Sequence, residues 1–278
     1  MKHFSLAVIL ILLSMLDSEA LVTRPGQDRV DWSRGLVISH GTWTMPVSKE
    51  GMPVDGDGNI MSINRGRMEA YRRARENAVE NMVRMMKGIR VDADTTLVDL
   101  LERSETARGR IMGVVNGRVK VSEYPLDFVT SACRAELRIG DILQAVPYTY
   151  PGDEFPTRLD NPIPTRYSSL VIDARGLAVE PMILPSVFSE TGIEVYSRYR
   201  VDIRNATKYG IVAYATTQDE AMKNRLAGDR PFYTVALREV KGCPVISDRD
   251  VRKILSSPES IEQLKKCRVI FIIDKNWN

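Results

Sequence analysis

Histidine is nearly absent from this sequence, which holds His3 and His40 among 278 residues. Because His3 falls in the apolar leader, a Ser-His-Asp or Cys-His catalytic arrangement would have to use His40. That residue stands beside Gly41 in a predicted strand, with no second metal ligand nearby. We therefore interpret His40 as a surface or packed imidazole, and not as a catalytic base or a metal ligand.

Nucleotide-binding motifs are missing as well. The sequence has neither a G-x-x-x-x-G-K-[ST] phosphate loop nor a G-x-G-x-x-G turn. Its net charge of +3 is too mild to indicate a nucleic-acid partner. We predict a protein that is not an enzyme, has no cofactor and does not bind nucleic acid.

No apolar run reaches the roughly 20 residues that a membrane-spanning helix needs. The longest one near the start, residues 4–16, follows Lys2 and ends before Ser18-Glu19-Ala20, which is typical of a secretory signal peptide. We predict cleavage after Ala20, with a signal peptide over residues 1–20. Since no cysteine lies near that site, we expect a mature chain without a lipid anchor or a transmembrane segment, exported to the periplasm.

Cysteine is scarce, with Cys133, Cys243 and Cys267 in the whole chain. Their spacing is not that of a zinc site. In an oxidising compartment one pair can form a disulfide, and Cys243–Cys267 is the candidate because both lie in one predicted domain. Such a bridge would stabilise the fold by about 3 kcal/mol in the chain-entropy model. Three buried thiols are the alternative.

One acidic stretch resembles the first half of a calcium loop. Residues 55–59 read D-G-D-G-N, which would place the oxygen atoms of Asp55, Asp57 and Asn59 at alternate positions. However, Ile60 stands where the loop needs glycine, and Gly66 stands where it needs a bidentate glutamate. We favour a flexible acidic loop and keep calcium as a weak candidate.

A second polar motif follows a predicted buried strand. Asp173 and Arg175 lie at the strand end, before Gly176, where an acid and a base could bind a ligand or act in catalysis. No second acid or nucleophile accompanies them in sequence. An ion pair that fixes the turn is therefore the favoured interpretation, and an interaction or ligand site is the alternative.

The predicted fold class is α+β, in two domains. Residues 64–88 have an apolar stripe typical of a helix, and residues 110–123 and 127–139 are predicted to form a strand pair around Pro125. These segments make an N-terminal helix-on-antiparallel-sheet domain over residues 31–145. The stripe consists of Tyr71, Ala74, Ala78, Met82, Met85 and Ile89.

Five prolines between residues 146 and 166 predict a semi-rigid linker. Beyond it, residues 167–278 alternate predicted strands and helices and form a C-terminal mixed α/β domain. Its local signals are a hairpin turn at residues 190–192 and helix caps at Thr217, Ser247 and Ser257.

The alanine-rich helix at 69–87, the Ile-Arg-Val run at 89–91 and the 113–137 hairpin resemble the small outer-membrane lipoprotein family. That family includes the flagellar proteins FlgP and FlgT, and the similarity spans residues 31–145. The I-D-A-R-G-L run at 172–177 and the 190–192 turn are similar to the C-terminal half of FlgT-like envelope proteins. The chain lacks the acylated cysteine of the lipoprotein members, so the soluble FlgT-like form is the better match. The resemblance implies an α+β unit, an envelope location and a structural role around the flagellar basal body.

Two functional hypotheses follow. The first is a non-enzymatic periplasmic assembly protein, associated with the outer membrane, whose partners are envelope or basal-body proteins or further copies of itself. The second is a periplasmic ligand-binding protein or hydrolase that uses the Asp173/Arg175 turn. A deep pocket at that turn would favour the second hypothesis, whereas exposed edge strands or apolar patches would favour the first.

Overall fold

A computed structural model describes residues 27–156 and 165–275, and it confirms the α+β fold class. These residues form eight helices and twelve strands, which assemble into three sheets of four strands. The predicted signal peptide lies outside the described residues. By the density of contacts the chain divides into two units. Of the described residues, the first comprises 27, 39–79 and 121–134, and the second comprises 28–38, 80–120, 135–156 and 165–275.

The first sheet has the strand order β1-β2-β4-β3. Alternating buried positions along β2 and β4 show that one face of each strand is covered. The four strands are β1 (Arg29–Asp31), β2 (Leu36–Thr44), β3 (Lys120–Pro125) and β4 (Thr130–Arg138).

Helix α1 (Ile63–Met86) confirms the predicted long helix and lies very close to β2. Ala74 and Ala78 are fully buried, and a Cβ added to Gly41 would lie 2.2 Å from both the Ala74 carbonyl oxygen and the Ala78 nitrogen. The Ser39 hydroxyl donates to the Ala78 carbonyl at 2.7 Å. Small residues on both elements therefore let the two backbones touch, with a buried hydrogen bond between them.

The predicted strand over residues 110–123 is wrong up to residue 118, because those residues belong to helix α3 (Glu105–Arg118), whereas residues 120–123 lie in β3, beside β4. The Ser104 hydroxyl caps this helix by accepting from the Ala107 nitrogen at 3.2 Å. Ala107, Ile111 and Val115 are buried at a four-residue spacing, which makes a helical stripe out of residues that also favour strands. A short helix precedes it, α2 (Leu97–Arg103), with a capping box between Thr96 and Asp99.

A four-stranded parallel sheet forms the core of the second unit, in the order β8-β12-β5-β9. Its central strands are almost entirely buried, as expected of a sheet that helices cover. The strands are β5 (Ser169–Asp173), β8 (Ala213–Ala215), β9 (Pro231–Val235) and β12 (Val269–Ile272). The helices that follow β5 along the chain are α5 (Ile203–Tyr209), α6 (Gln218–Lys223), α7 (Asp248–Ile254) and α8 (Pro258–Lys265).

A smaller mixed sheet has the order β10-β11-β6-β7. The hairpin predicted around residues 190–192 is confirmed as the antiparallel pair β6–β7. The caps predicted at Thr217, Ser247 and Ser257 are also confirmed, at the starts of α6, α7 and α8. The strands are β6 (Val187–Ser189), β7 (Glu194–Tyr196), β10 (Arg238–Val240) and β11 (Cys243–Ile246).

The described part of the predicted linker, residues 146–156, belongs to the second unit and is fixed there by hydrogen bonds. The Asp153 nitrogen donates to the Tyr199 carbonyl at 2.7 Å, and Arg200 donates to the Glu154 carbonyl at 2.8 Å. The segment lies outside helices and strands, as its prolines predict. Its backbone groups nevertheless form hydrogen bonds with the rest of the unit, and the side chain of Phe155 is buried. The division of the chain accordingly differs from the one predicted at residues 145 and 167.

Helix α4 (Ile139–Ala145), which the sequence did not predict, begins beside a buried carboxylate. Asp141 is only 3% exposed at its side chain and accepts hydrogen bonds from both Arg118 and Arg138 at 2.7–2.9 Å.

Within the described ranges, no helix has the length and apolarity to cross a bilayer.

Candidate functional site

The predicted Asp173/Arg175 motif lies at the carboxyl end of β5, where parallel sheets commonly bind ligands. Arg175 Nε donates to Asp173 Oδ1 at 2.9 Å, and Arg175 Nη2 donates to Oδ2 at 2.5 Å. The Tyr233 hydroxyl, from the neighbouring strand β9, donates to the same Oδ2 at 2.6 Å. Both carboxylate oxygens of Asp173 are therefore occupied by protein donors.

These bonds stabilise the charged form of the acid. Chiefly through the hydrogen bond from Arg175, they lower the pKa of Asp173 to about 2. Gly176 adopts φ 79° in the turn that follows, and its nitrogen donates to the Asp274 carboxylate at 2.9 Å. The geometry is that of an ion pair that fixes a turn, and Tyr233 and Asp274 are members of it that the sequence did not reveal.

The calcium-loop candidate is closed by its own hydrogen bonds. Asp55 Oδ1 accepts from the backbone nitrogens of Asp57 and Asn59, at 3.0 and 2.8 Å. The hydrogen bond from Asn59 is the main reason that the pKa of Asp55 is lowered. Within the described residues no cluster of three or more His, Cys, Asp or Glu side chains could hold a metal ion. We therefore describe residues 55–59 as a turn.

The predicted Cys243–Cys267 disulfide is not formed. Cys133, Cys243 and Cys267 are buried free thiols. The sulfur of Cys243 lies 3.9 Å from that of Met182, and burial raises the pKa of Cys267 to about 12. Cys243 thus lies beside Met182 and Cys267 beside Tyr196, which spacing along the chain does not reveal. His40 is half-buried in β2.

An apolar groove of about 740 Å³ lies in the first unit, and we call it the methionine groove. Met68 at its rim is 72% exposed, and Ile60 and Ile63 nearby in sequence are also exposed. Large exposed apolar side chains close together commonly mark an interaction surface. The apolar lining consists of Trp43, Met45, Pro46, Val54, Met61 and Met68.

Charged side chains along α1 border the methionine groove but largely neutralise one another. Glu69 accepts from Arg72 Nε at 2.8 Å and from Arg73 Nε at 3.0 Å. The hydrogen bond from Arg72 is the main reason that the pKa of Glu69 falls to about 2. Arg72 also donates to Glu76. The groove therefore offers a partner mainly apolar surface.

A second cavity, of about 440 Å³, lies in the second unit, and we call it the basic cavity. Among the described residues that line it there are four cations, Arg34, Arg138, Lys208 and Arg225, and no Asp or Glu. Two of these cations approach the ring of Tyr209: Lys208 Nζ is 5.0 Å and the Arg225 guanidinium carbon 4.5 Å from the ring centroid.

Residues 169–275 match the family model of the second domain of Treponema pallidum Tp0624. Among curated proteins, none matches the chain. The matched segment is well under half of the 278 residues and lies within the second unit. It contains the Asp173/Arg175 turn, and it contributes Lys208, Tyr209 and Arg225 to the basic cavity. The resemblance of the chain to FlgT-like proteins stays a prediction.

Sequence reasoning located the Asp173/Arg175 turn but missed both cavities. The basic cavity draws its lining from residues 32–36, 138–140, 182–183 and 207–226, which no short motif connects. A sequence signal did exist for the methionine groove, since Met45, Met61 and Met68 cluster in one short stretch.

Proposed function

We propose that this chain is a non-enzymatic protein of the periplasm, associated with the outer membrane, that binds a partner protein through the methionine groove and serves in assembly around the flagellar basal body. The observation that carries the binding role is the groove itself. Its occupant would be a hydrophobic segment of an envelope protein.

The composition of the groove supports this occupant. Methionine is unbranched and polarizable, so it adapts to partners of different shape and is common at surfaces that bind apolar segments. Trp43 adds a large aromatic face of the kind that contributes most to binding free energy. Since Glu69 already engages Arg72 and Arg73, a charged ligand gains less there than an apolar one.

The Asp173/Arg175 turn gives the rival hypothesis less support. A ligand at Asp173 would have to displace Arg175 or Tyr233, each of which donates to it within 3 Å. Breaking a charge-assisted bidentate pair costs more than an ordinary hydrogen bond. The two cavities described above are lined by other residues.

The compartment and the flagellar link have different support. The short apolar run before Ala20 favours export. The flagellar role depends on the similarity of residues 31–145 to FlgT-like proteins. The two parts of the proposal therefore need separate tests.

For the binding role, we expect that Met68→Glu weakens capture of envelope partners at least tenfold, because a charge would be buried in an apolar interface. The measurement is cross-linking and pull-down from envelope fractions, with protein level checked by immunoblot. Met112→Glu is the matched control, since Met112 is an exposed methionine on α3 in the second unit. Equal capture by wild type and Met68→Glu would refute the groove as the binding surface.

For the flagellar role, the assay is swimming motility of a complete deletion strain, complemented with wild type or Met68→Glu. We expect the deletion strain to grow normally but not to swim. Wild type and Met112→Glu should restore swimming, whereas Met68→Glu should not. Normal swimming of the deletion strain would remove the flagellar role and leave the binding role to be judged by the pull-down.

A further inference from the structure

We infer that the basic cavity of the second unit binds a small organic anion, namely an apolar ring or short chain that carries a carboxylate or phosphate group. This site is independent of the methionine groove and of the Asp173/Arg175 turn. Its volume of about 440 Å³ falls within the usual range for small-molecule sites, about 300–1,000 Å³.

The floor of the cavity is apolar and rigid. Trp32 and Tyr214 pack edge to face with ring centroids 5.5 Å apart, and both are buried. The Tyr214 hydroxyl accepts from the Met182 nitrogen at 3.0 Å and donates to the Met182 carbonyl at 2.9 Å. All three residues line the cavity, so an apolar body would meet a preformed surface.

The mouth of the cavity concentrates positive charge. Lys208 and Arg225 approach the same ring, that of Tyr209, although two like charges repel each other at such separations. Within the described residues neither of these two side chains forms an ion pair. An anion bound in the cavity beside the Tyr209 ring would be attracted by both charges and would accept charge-assisted hydrogen bonds from these side chains.

Not every cation of the lining is available in this way. Arg138 is bound by Asp141 at 2.7 Å, and that carboxylate also accepts from Arg118. We therefore assign anion binding to Lys208 and Arg225 and leave Arg138 out. The positive field at this place is also felt by Tyr209: a hydrogen bond from Lys208 and the charges of Lys208, Arg225 and Arg268 lower the pKa of its hydroxyl.

The test is isothermal titration calorimetry on the full chain with a matched pair of probes, 2-naphthoate and its uncharged counterpart 2-naphthalenemethanol. We expect one molecule of 2-naphthoate to bind, at least about tenfold more tightly than the alcohol. Lys208→Gln and Arg225→Gln should each weaken 2-naphthoate about 10- to 100-fold, as expected when a charged hydrogen-bond partner is lost. Arg225→Lys should recover part of that loss.

Arg204→Gln is the control variant. Arg204 is exposed on α5, the helix that carries Lys208, but it pairs with Asp202 and does not line the cavity. It should bind 2-naphthoate as wild type does. The inference is overturned if the two probes bind equally, if the lining variants bind 2-naphthoate like wild type, or if the control loses affinity as they do.

Two further arms identify the source of the anion. Inorganic phosphate alone should bind much more weakly than 2-naphthoate, because it gains nothing from the apolar floor. Sedimentation with phosphatidylglycerol vesicles should be no greater for wild type than for Arg225→Gln. Phosphate as tight as 2-naphthoate, or vesicle binding that requires Arg225, would contradict a site for a small organic anion.

Discussion

Replacing Gly41 by alanine tests the close approach of α1 to β2. The added methyl carbon would lie 2.2 Å from two backbone atoms of the helix, whereas ordinary contact begins at about 3.4 Å. The helix would have to move by more than 1 Å, and it could not do so without stretching the 2.7 Å bond from Ser39 to the Ala78 carbonyl. Overpacking typically costs about 1–3 kcal/mol and a lost buried hydrogen bond about 1–3 kcal/mol more.

We therefore expect Gly41→Ala to lower the free energy of unfolding by about 2–6 kcal/mol, with a fall in Tm of about 4–24 °C. Urea and thermal unfolding followed by circular dichroism measure both quantities. Gly113→Ala is the control, since Gly113 lies inside α3 with open space around it and the change should stabilise the helix by about 0.5–1 kcal/mol. A Gly41→Ala protein within 0.5 kcal/mol of wild type would refute the packing described for this unit.

Two other predictions concern titratable groups. Because the pKa of Asp173 is lowered from 3.8 to about 2, its stabilisation is complete above about pH 4 and is lost as the pH falls towards 2. Between pH 5 and pH 2 the free energy of unfolding should therefore fall by about 1–2 kcal/mol more for wild type than for Asp173→Asn, as measured by urea titration at each pH. An equal fall for the two proteins would contradict the ion pair. The three cysteines are buried, and burial raises the pKa of Cys133 to about 11 and that of Cys267 to about 12. A thiol reagent at pH 8 should therefore label none of them in the native protein. In urea without reductant it should label all three. A single reactive thiol in urea would indicate a disulfide.

Features set by neighbouring residues were predictable. The helix caps at Thr217, Ser247 and Ser257 were readable because a hydroxyl three residues before a backbone donor needs no tertiary partner. The long helix was readable because its alanines recur at helical spacing. In both cases the physical cause lies within one turn of the chain.

Residues 110–118 were mispredicted although the deciding signals are local. Ile111, Val114 and Val115 favour strands, but the Ser104 cap and the four-residue spacing of buried positions favour a helix. Features that depend on distant residues were not predictable in the same way. The Cys243–Cys267 pairing failed because sequence separation says nothing of side-chain direction. The basic cavity joins Trp32 to Arg225, and only the folded chain places them together.

The contact between Trp32 and Tyr214 also determines the order in which the second unit can form. Strand β1 and its neighbours leave the ribosome early, but the ring that Trp32 packs against follows 182 residues later. Closing a loop of that length is slow compared with forming local helices. Until then the part of the indole that the Tyr214 ring covers stays exposed, and exposed apolar surface of this kind makes an incompletely folded chain prone to aggregate. Trp32 is thus synthesised early and completes its packing late.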